Sequence, residues 1–473
     1  MNENLTALVP ELALLGAAVI GLLTGSWLPR RRQWIVAALA ATACAAGLTA
    51  TAVTMSTGRE QTVFADTFAV DTATGVGRIV VLVALLLIIT MSTETVRGHP
   101  REAEYWVLLL LTGAGTLALM GANGLLMLFA AYLLASIPAY ALAAFAKDAP
   151  GTEAALKYYL MGALLGTTML AGIALLYGAG HATQYRELAD SLPDAPYGIV
   201  AVGLVGVLAG LLFKAGAVPA HFWVPDVTDG APTPVAAYVT TLPKIGALIA
   251  VYRLLHQALP DTDLDWPLLL AIIAAATMTL GNLAAFFQTS VKRLLAYSTI
   301  SQVGYLLMSV SVATRSDLAQ RSLLLYLAAY AVTNLGAFAV VTELPGARTL
   351  TDYRGLARRR PGLTTVLVIC LLGLVGTPPT GVFLGKLEVF SATVDGGYTW
   401  LAALAVANTV ASLFYYLRWL GPLFLTSDAI HSQTQTVQGR WSAATAYTAA
   451  ALSLALGVAG EAVLSLADGP LLR

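Results

Sequence analysis

The sequence predicts an all-α membrane protein of about fourteen transmembrane helices, built as two inverted five-helix repeats. Three observations predict it. Hydrophobic residues make up 58% of the 473, charged residues only 11%, and the mean hydropathy is +0.76, whereas a soluble domain is nearer a quarter charged. Apolar runs of roughly 20 residues, enough to cross the hydrocarbon core, begin near residues 7, 34, 75, 104, 123, 153, 197, 233, 264, 292, 320, 362, 398 and 441. The runs from 197 and 362 are about ten residues too long for one straight span, and each has Gly and Pro near its middle.

In chain order, residues 1–100 hold the first three helices. The opening stretch MNENLTALVPELALL lacks a basic leader and a cleavage site, so it is read as a retained helix. Residues 101–258 form the first repeat, helices 4–8, and residues 259–426 the second, helices 9–13. Helix 7 is broken around Pro219 and helix 12 around Gly376, Pro378, Pro379 and Gly381. Two interrupted helices five spans apart, each carrying a lysine, mark an inverted repeat with a site near the midplane. Residues 427–473 supply helix 14. Loops are short and no linker is rich in Ser or Pro, so 1–473 reads as a single polytopic membrane domain.

Charge placement sets the expected orientation. One set of loops holds fifteen of the 26 basic residues, from Arg30, Arg31 and Arg32 to Arg358, Arg359, Arg360 and Arg440. The other side holds seven: Arg59, Arg78, Arg186, Arg253, Arg315, Arg321 and Arg473. The bias puts the fifteen in the cytoplasm and both termini outside. The formal net charge of zero gives no footprint for nucleic acid; the expected partners are apolar surfaces and lipid.

Three lysines sit deep in apolar stretches: Lys214 and Lys244 near the centres of helices 7 and 8, and Lys386 towards the outer end of helix 12. A charge costs a few kcal/mol or more at that depth, and Pro or Gly frees backbone groups that lipid cannot satisfy. Such elements persist where they line a polar interior, which points to an ion or proton path. A desolvated lysine can exchange a proton under the influence of a nearby charge; the plain alternative is a lysine that snorkels or holds one structural ion pair. His221, just past the break in helix 7, suits a relay and equally a packing role. Arg418 is read as snorkelling, and Glu388, two residues from Lys386 and so on another helix face, as pairing elsewhere. Cys44 and Cys370 lie far apart in apolar runs, with no spacing for a metal or cluster, and read as buried thiols. No glycine-rich stretch fits a nucleotide loop, and no Ser/His/Asp arrangement is present.

EAALKYYLMGALLGTTMLAGIALLYG, FKAGAVPAHFWVPDVTDGAPTPVAAYVTTLPKIGAL, VKRLLAYSTISQVGYLL, DYRGLARRRPG, GTPPTGVFLGKLEVF and FYYLRW together resemble the antiporter-like membrane subunits of proton-pumping NADH-quinone oxidoreductase, respiratory complex I, and subunit N in particular. The resemblance covers roughly residues 120–425 in matching order and spacing, and the lysine in PKIG favours subunit N over its sisters. It implies a fourteen-helix antiporter-like fold in which Lys214, Lys244 and Lys386 form a charged axis along the membrane plane, with Lys157 and Lys292 as further basic positions. It also implies a translocase subunit that binds no redox group itself. NADH, FMN, iron-sulfur clusters and quinone would belong to partner subunits, membrane and peripheral, in a bacterial cell membrane.

Two positions depart from that family's pattern. Leu133 in LFAAYLLASIPAY stands where the family has a helix 5 glutamate, and Gln302 stands where it often has a helix 10 histidine. Lys214 is then expected to lack its acid, and the relay to look incomplete. Three readings follow: a proton-translocating subunit, a subunit of a multisubunit cation/proton antiporter, or a membrane scaffold with weakened pumping.

Overall fold

The computed structural model describes residues 4–58, 60–260, 262–426, 439–469 and 471–472. The chain folds as helices α1 (Val9–Trp27), α2 (Trp34–Ser56), α3 (Thr72–Val96), α4 (Glu102–Gly121), α5 (Leu125–Ala143), α6 (Ala149–Gly180), α7 (Tyr185–Ser191), α8 (Tyr197–Ala215), α9 (Trp223–Gly230), α10 (Thr233–Ala258), α11 (Trp266–Ala285), α12 (Val291–Ser311), α13 (Ala319–Glu343), α14 (Leu356–Arg359), α15 (Pro361–Val375), α16 (Gly381–Asp395), α17 (Thr399–Phe424), α18 (Arg440–Val458) and α19 (Gly460–Ala467). Twelve of the described helices are long and apolar enough to cross a membrane. The other long elements are α12, which carries Lys292 and Arg293 in its first turn, and α15 and α16, each only 15 residues.

Burial orders the bundle. α10 and α13 are enclosed almost throughout, while α1, α2, α6, α17 and α18 turn large apolar faces outward. A helix that is apolar all round belongs inside or in lipid, and here polar side chains such as Thr240, Lys244, Tyr330 and Asn334 mark the central pair. Small residues let backbones approach where dispersion is the main glue. On α6 and α8, a β-carbon at Gly172 would meet the Val207 nitrogen at 2.6 Å, and one at Gly206 would meet Gly172 Cα at 2.8 Å.

The structure adds elements that the periodicity did not predict. A hairpin, β1 (Gln61–Val63) with β2 (Phe68–Val70), pairs antiparallel ahead of α3. Its tip, Phe64–Asp66, holds three consecutive positive φ angles, and Asn123 and Gln184 tie it down by donating to the Asp66 and Ala65 carbonyls at 2.9 and 2.6 Å. The short helix α7 lies between α6 and α8.

Two arginines assigned to loops prove to be inside. Arg78, in the second turn of α3, pairs with Glu11 of α1 at 2.8 Å. Arg253 of α10 grips Asp71 through two bonds of 2.7 Å and also reaches Thr74 and the Met120 carbonyl. Asp71 caps α3 and accepts the Leu472 amide as well. A buried guanidinium needs such a carboxylate, and both pairs bind α3 to neighbouring helices. Counting apolar run lengths cannot place these residues, because an arginine near a span end reads as a loop charge. Arg59 and Arg473 lie outside the described residues, as does 427–438 of the segment assigned to the last helix.

Candidate functional site

Two helix breaks organise the polar interior. α8 stops at Gly216, in the left-handed region with φ 77°, and α15 stops at Gly376 with φ 95°. Both ends close the same way: the Gly216 and Ala217 amides donate to Leu212, and those of Gly376 and Thr377 to Leu372. Pro219 lies in the first break; Pro378 and Pro379 lie in the second, which Gly381 closes as the first residue of α16. A helix end leaves its last carbonyls without intrahelical donors, and here Trp223 reaches into the first end and Gln302 and Lys386 into the second.

Lys214, in the last turn of α8, is fully buried and donates to the Ala135 carbonyl at 2.8 Å and to Ser136 Oγ at 2.9 Å, both in α5. Pro138, inside α5, loosens the helix at that turn. Lys244 lies in α10 directly after Pro243. That proline has no N–H for the carbonyl four residues back, Val239, and Lys244 Nζ approaches the same carbonyl at 3.4 Å. A β-carbon on Gly216 would lie 3.5 Å from Lys244 Nζ, so Lys244 sits against the first break, 5.7 Å from the Trp223 ring centre. The Trp223 indole closes the break by donating to the Phe213 carbonyl at 3.0 Å.

Lys386, on α16, reaches back to the second break. Its Nζ donates to the Val375 carbonyl at 2.7 Å, approaches Leu374 O at 3.5 Å and Thr409 Oγ1 at 3.4 Å, and lies 4.2 Å from the centre of the Tyr305 ring. Its position towards one end of helix 12 therefore does not set the depth of its charge. Among the described residues, no carboxylate forms an ion pair with Lys214, Lys244 or Lys386.

Neutral groups fill the space between the two lysine-bearing breaks. Asn334 of α13 donates to the Thr240 and Thr241 hydroxyls, one turn before Lys244, at 3.1 and 2.9 Å. Tyr330 Oη lies 2.7 Å from the Thr240 carbonyl and 3.0 Å from Thr299 Oγ1 of α12. One turn along α12, Gln302 donates to the Leu374 carbonyl at 2.8 Å and accepts from Tyr326. Apart from Gln302, sequence reasoning missed these residues, because Thr, Tyr and Asn on an apolar helix carry no motif. One signal was available: Pro243 frees a carbonyl beside Lys244.

The remaining expected positions lie apart. Lys157, half-exposed, pairs with Glu153 and Asp226 at 2.8 Å each, and Arg293 pairs with the second oxygen of Asp226. Lys292 donates to the Asp229 and Ala231 carbonyls at 2.7 Å and borders a cavity of about 700 Å³ with His99, Asp148 and Arg348 on its wall. His221, in the first break, is buried; its Nδ1 meets no partner among the described residues and its ring lies against Phe222. Leu133 is 37% exposed, on the outward stripe of α5 with Leu126 and Ile137, so Ser136 rather than residue 133 serves Lys214. Glu388 pairs with Arg321 at 3.5 Å, and Arg418 reaches the Phe286 and Gln288 carbonyls at the end of α11. Cys44 and Cys370 are buried thiols.

A bundle with two glycine-broken helices and lysines against both breaks defines an antiporter-like membrane subunit. The family model described as NADH:quinone oxidoreductase/Mrp antiporter, TM, matches residues 122–412. The chain is 56% identical over 465 residues, 98% of each chain, to NADH-quinone oxidoreductase subunit N 1 of Streptomyces griseus subsp. griseus. It is 51% identical over 448 residues, 95% of each chain, to subunit N of Mycobacterium sp. strain JLS. Among solved structures, a chain of respiratory complex I from Thermus thermophilus with bound aureothin superposes with a TM-score of 0.84 at 31% identity, over 98% of this chain and all of that one. A chain of the Mrp complex from Dietzia sp. DQ12-45-1b superposes at 0.85 with 23% identity, over 98% of this chain and 96% of that one, a likeness of fold. The chain belongs to the NADH-quinone oxidoreductase subunit N family.

Proposed function

We propose that the chain is a proton-translocating membrane subunit of an NADH-quinone oxidoreductase, in which protons move through Lys214, Lys244 and Lys386. One observation carries this reading: three enclosed ammonium groups, set at or against the helix breaks, rest on carbonyls and hydroxyls, and among the described residues none rests on a carboxylate. A lysine locked to a buried carboxylate is costly to move, whereas one on neutral acceptors can exchange its proton or partner as nearby charge changes. Lys292, on its cavity, and the Lys157–Asp226–Arg293 group would connect the interior to one surface, and His221 would serve the first break.

In this reading α12 and the α15–α16 pair also cross the membrane, which gives fourteen spans with inverted repeats over 101–258 and 259–426. The membrane is the bacterial cell membrane with both termini outside: without the enclosed Arg78 and Arg253, the basic residues divide fifteen to five. The chain would assemble with membrane and peripheral partner subunits that hold NADH, FMN, iron-sulfur clusters and quinone, and would convert their signal into proton movement.

Lys244→Met in the complete complex tests the reading. Assembly should persist and NADH-driven proton uptake by inverted vesicles should fall at least fivefold. Wild-type uptake would refute the relay, and a sodium or potassium flux independent of NADH would favour the cation/proton antiporter instead.

A further inference from the structure

We propose that Gln302 is a positioning residue for Lys386: its amide holds the Leu374 carbonyl at the second break, which leaves the lysine free to move between Val375 and Thr409. The inference rests on the proton-translocating reading of Lys386. α15 ends at Val375, and no backbone amide among the described residues donates to the Leu374 or Val375 carbonyls. Two side chains serve them. Gln302 Nε2 donates to Leu374 at 2.8 Å, and Lys386 Nζ donates to Val375 at 2.7 Å while approaching Leu374 only at 3.5 Å.

An enclosed carbonyl without a donor is unfavourable. Without Gln302, Lys386 would have to cover both carbonyls and could not leave either. With Gln302, a shift of the ammonium towards Thr409, 3.4 Å away and itself linked to Tyr305 Oη, strands one carbonyl instead of two. The amide is held in turn by Tyr326, whose hydroxyl donates to Gln302 Oε1 and thereby points Nε2 at Leu374. A primary amide suits this task because it donates whatever the charge state of its neighbours. The position that departs from the family pattern is thus occupied by a side chain with both ends engaged.

The test uses the whole complex in inverted vesicles. Gln302→Met keeps the side-chain length and removes the donor; it should assemble and reduce the initial rate of NADH-driven proton uptake roughly five- to tenfold, on the scale of one lost hydrogen bond to a buried group. Gln302→His, which can offer a ring N–H, should restore most of that rate. In a Lys386→Met background, Gln302→Met should cause no further loss. Wild-type uptake by assembled Gln302→Met overturns the proposal, and so does an added loss in the Lys386→Met background, which would mark a general packing role. If Gln302→Met does not assemble, Tyr326→Phe replaces it, and wild-type uptake there is equally fatal. Unchanged uptake by Lys386→Met alone would instead refute the underlying function and this inference with it.

Discussion

Gly376→Ala separates the geometry of the second break from its stability. Gly376 has φ 95°, and a β-carbon there would lie 2.9 Å from Lys386 Cδ. Two effects follow. An L-residue in the left-handed region costs roughly 1–2 kcal/mol, which acts on folding. The lysine methylene must also retreat by about 0.6 Å to reach ordinary carbon contact near 3.5 Å. If Nζ followed, its 2.7 Å bond to Val375 would stretch beyond about 3.2 Å, where hydrogen bonds weaken. Such a bond to a charged donor is worth roughly 1.5–3 kcal/mol, and losing about 1.4 kcal/mol of it lowers tenfold the occupancy of the Val375-bound position from which Lys386 takes part in the relay. Gly397→Ala is the matched control: its φ is 87°, and a β-carbon there meets nothing within 4 Å. Both variants should assemble in similar amounts, judged by native electrophoresis of solubilised membranes. Proton uptake in inverted vesicles should fall about tenfold for Gly376→Ala and stay at the wild-type rate for Gly397→Ala. Equal uptake by the two would refute the placement of Lys386 as the working feature of this break.

Ser136→Ala removes one of the two acceptors of Lys214 and should lower NADH-driven uptake several-fold without loss of assembly, since a hydrogen bond to a charged group is worth roughly 1.5–3 kcal/mol; wild-type uptake would show that the Ala135 carbonyl suffices. Asp71→Asn leaves the Arg253 guanidinium enclosed without its carboxylate, a loss of about 3–5 kcal/mol. It should reduce the assembled complex or its thermal midpoint, and Asp71→Leu with Arg253→Met should recover part of the loss. For orientation, Thr351→Cys should react with an impermeant maleimide only in inverted vesicles and Asp194→Cys only in intact cells. Both positions are exposed, and the native thiols are buried; the opposite pattern would invert the proposed topology.

The sequence carries the helix frame because run length and hydropathy are what the bilayer selects. The apolar run expected from residue 34 starts α2 at Trp34, and those expected near 197 and 362 break at Gly216 and Gly376. The three lysines were legible for the same reason, since a charge inside an apolar run is conspicuous. Their partners were not. Ser136, Asn334 and Tyr330 act only through contacts between helices distant in sequence, and nothing local to them announces those contacts. Arg78 and Arg253 misled in the opposite way: an arginine within two turns of a span end looks like a loop charge until Glu11 and Asp71 are seen against it. The departure at Leu133 that the resemblance implies was legible as a letter, but the surroundings of that position were not, because its exposure and the turn of Lys214 towards Ser136 depend on how α5 and α8 meet.

The enclosed cations divide by chemistry as well as by partner. Arg78 and Arg253 rest on carboxylates with bonds of 2.7 to 2.8 Å, and both tie α3 to the bundle. A guanidinium does not give up its proton in proteins, so these pairs are permanent, and their desolvation is offset once, on folding. The lysines of the two breaks rest on carbonyls, hydroxyls and aromatic faces, whose attraction for an ammonium is weaker and whose own needs other donors can meet. Exchanging the classes should therefore fail asymmetrically. Lys386→Arg would place a permanent charge with a wider donor set at the second break, able to hold Leu374 and Val375 together. Such a variant should assemble and yet lose proton uptake nearly as completely as Lys386→Met; full uptake by assembled Lys386→Arg would show that the break needs only a positive charge and not one that can leave.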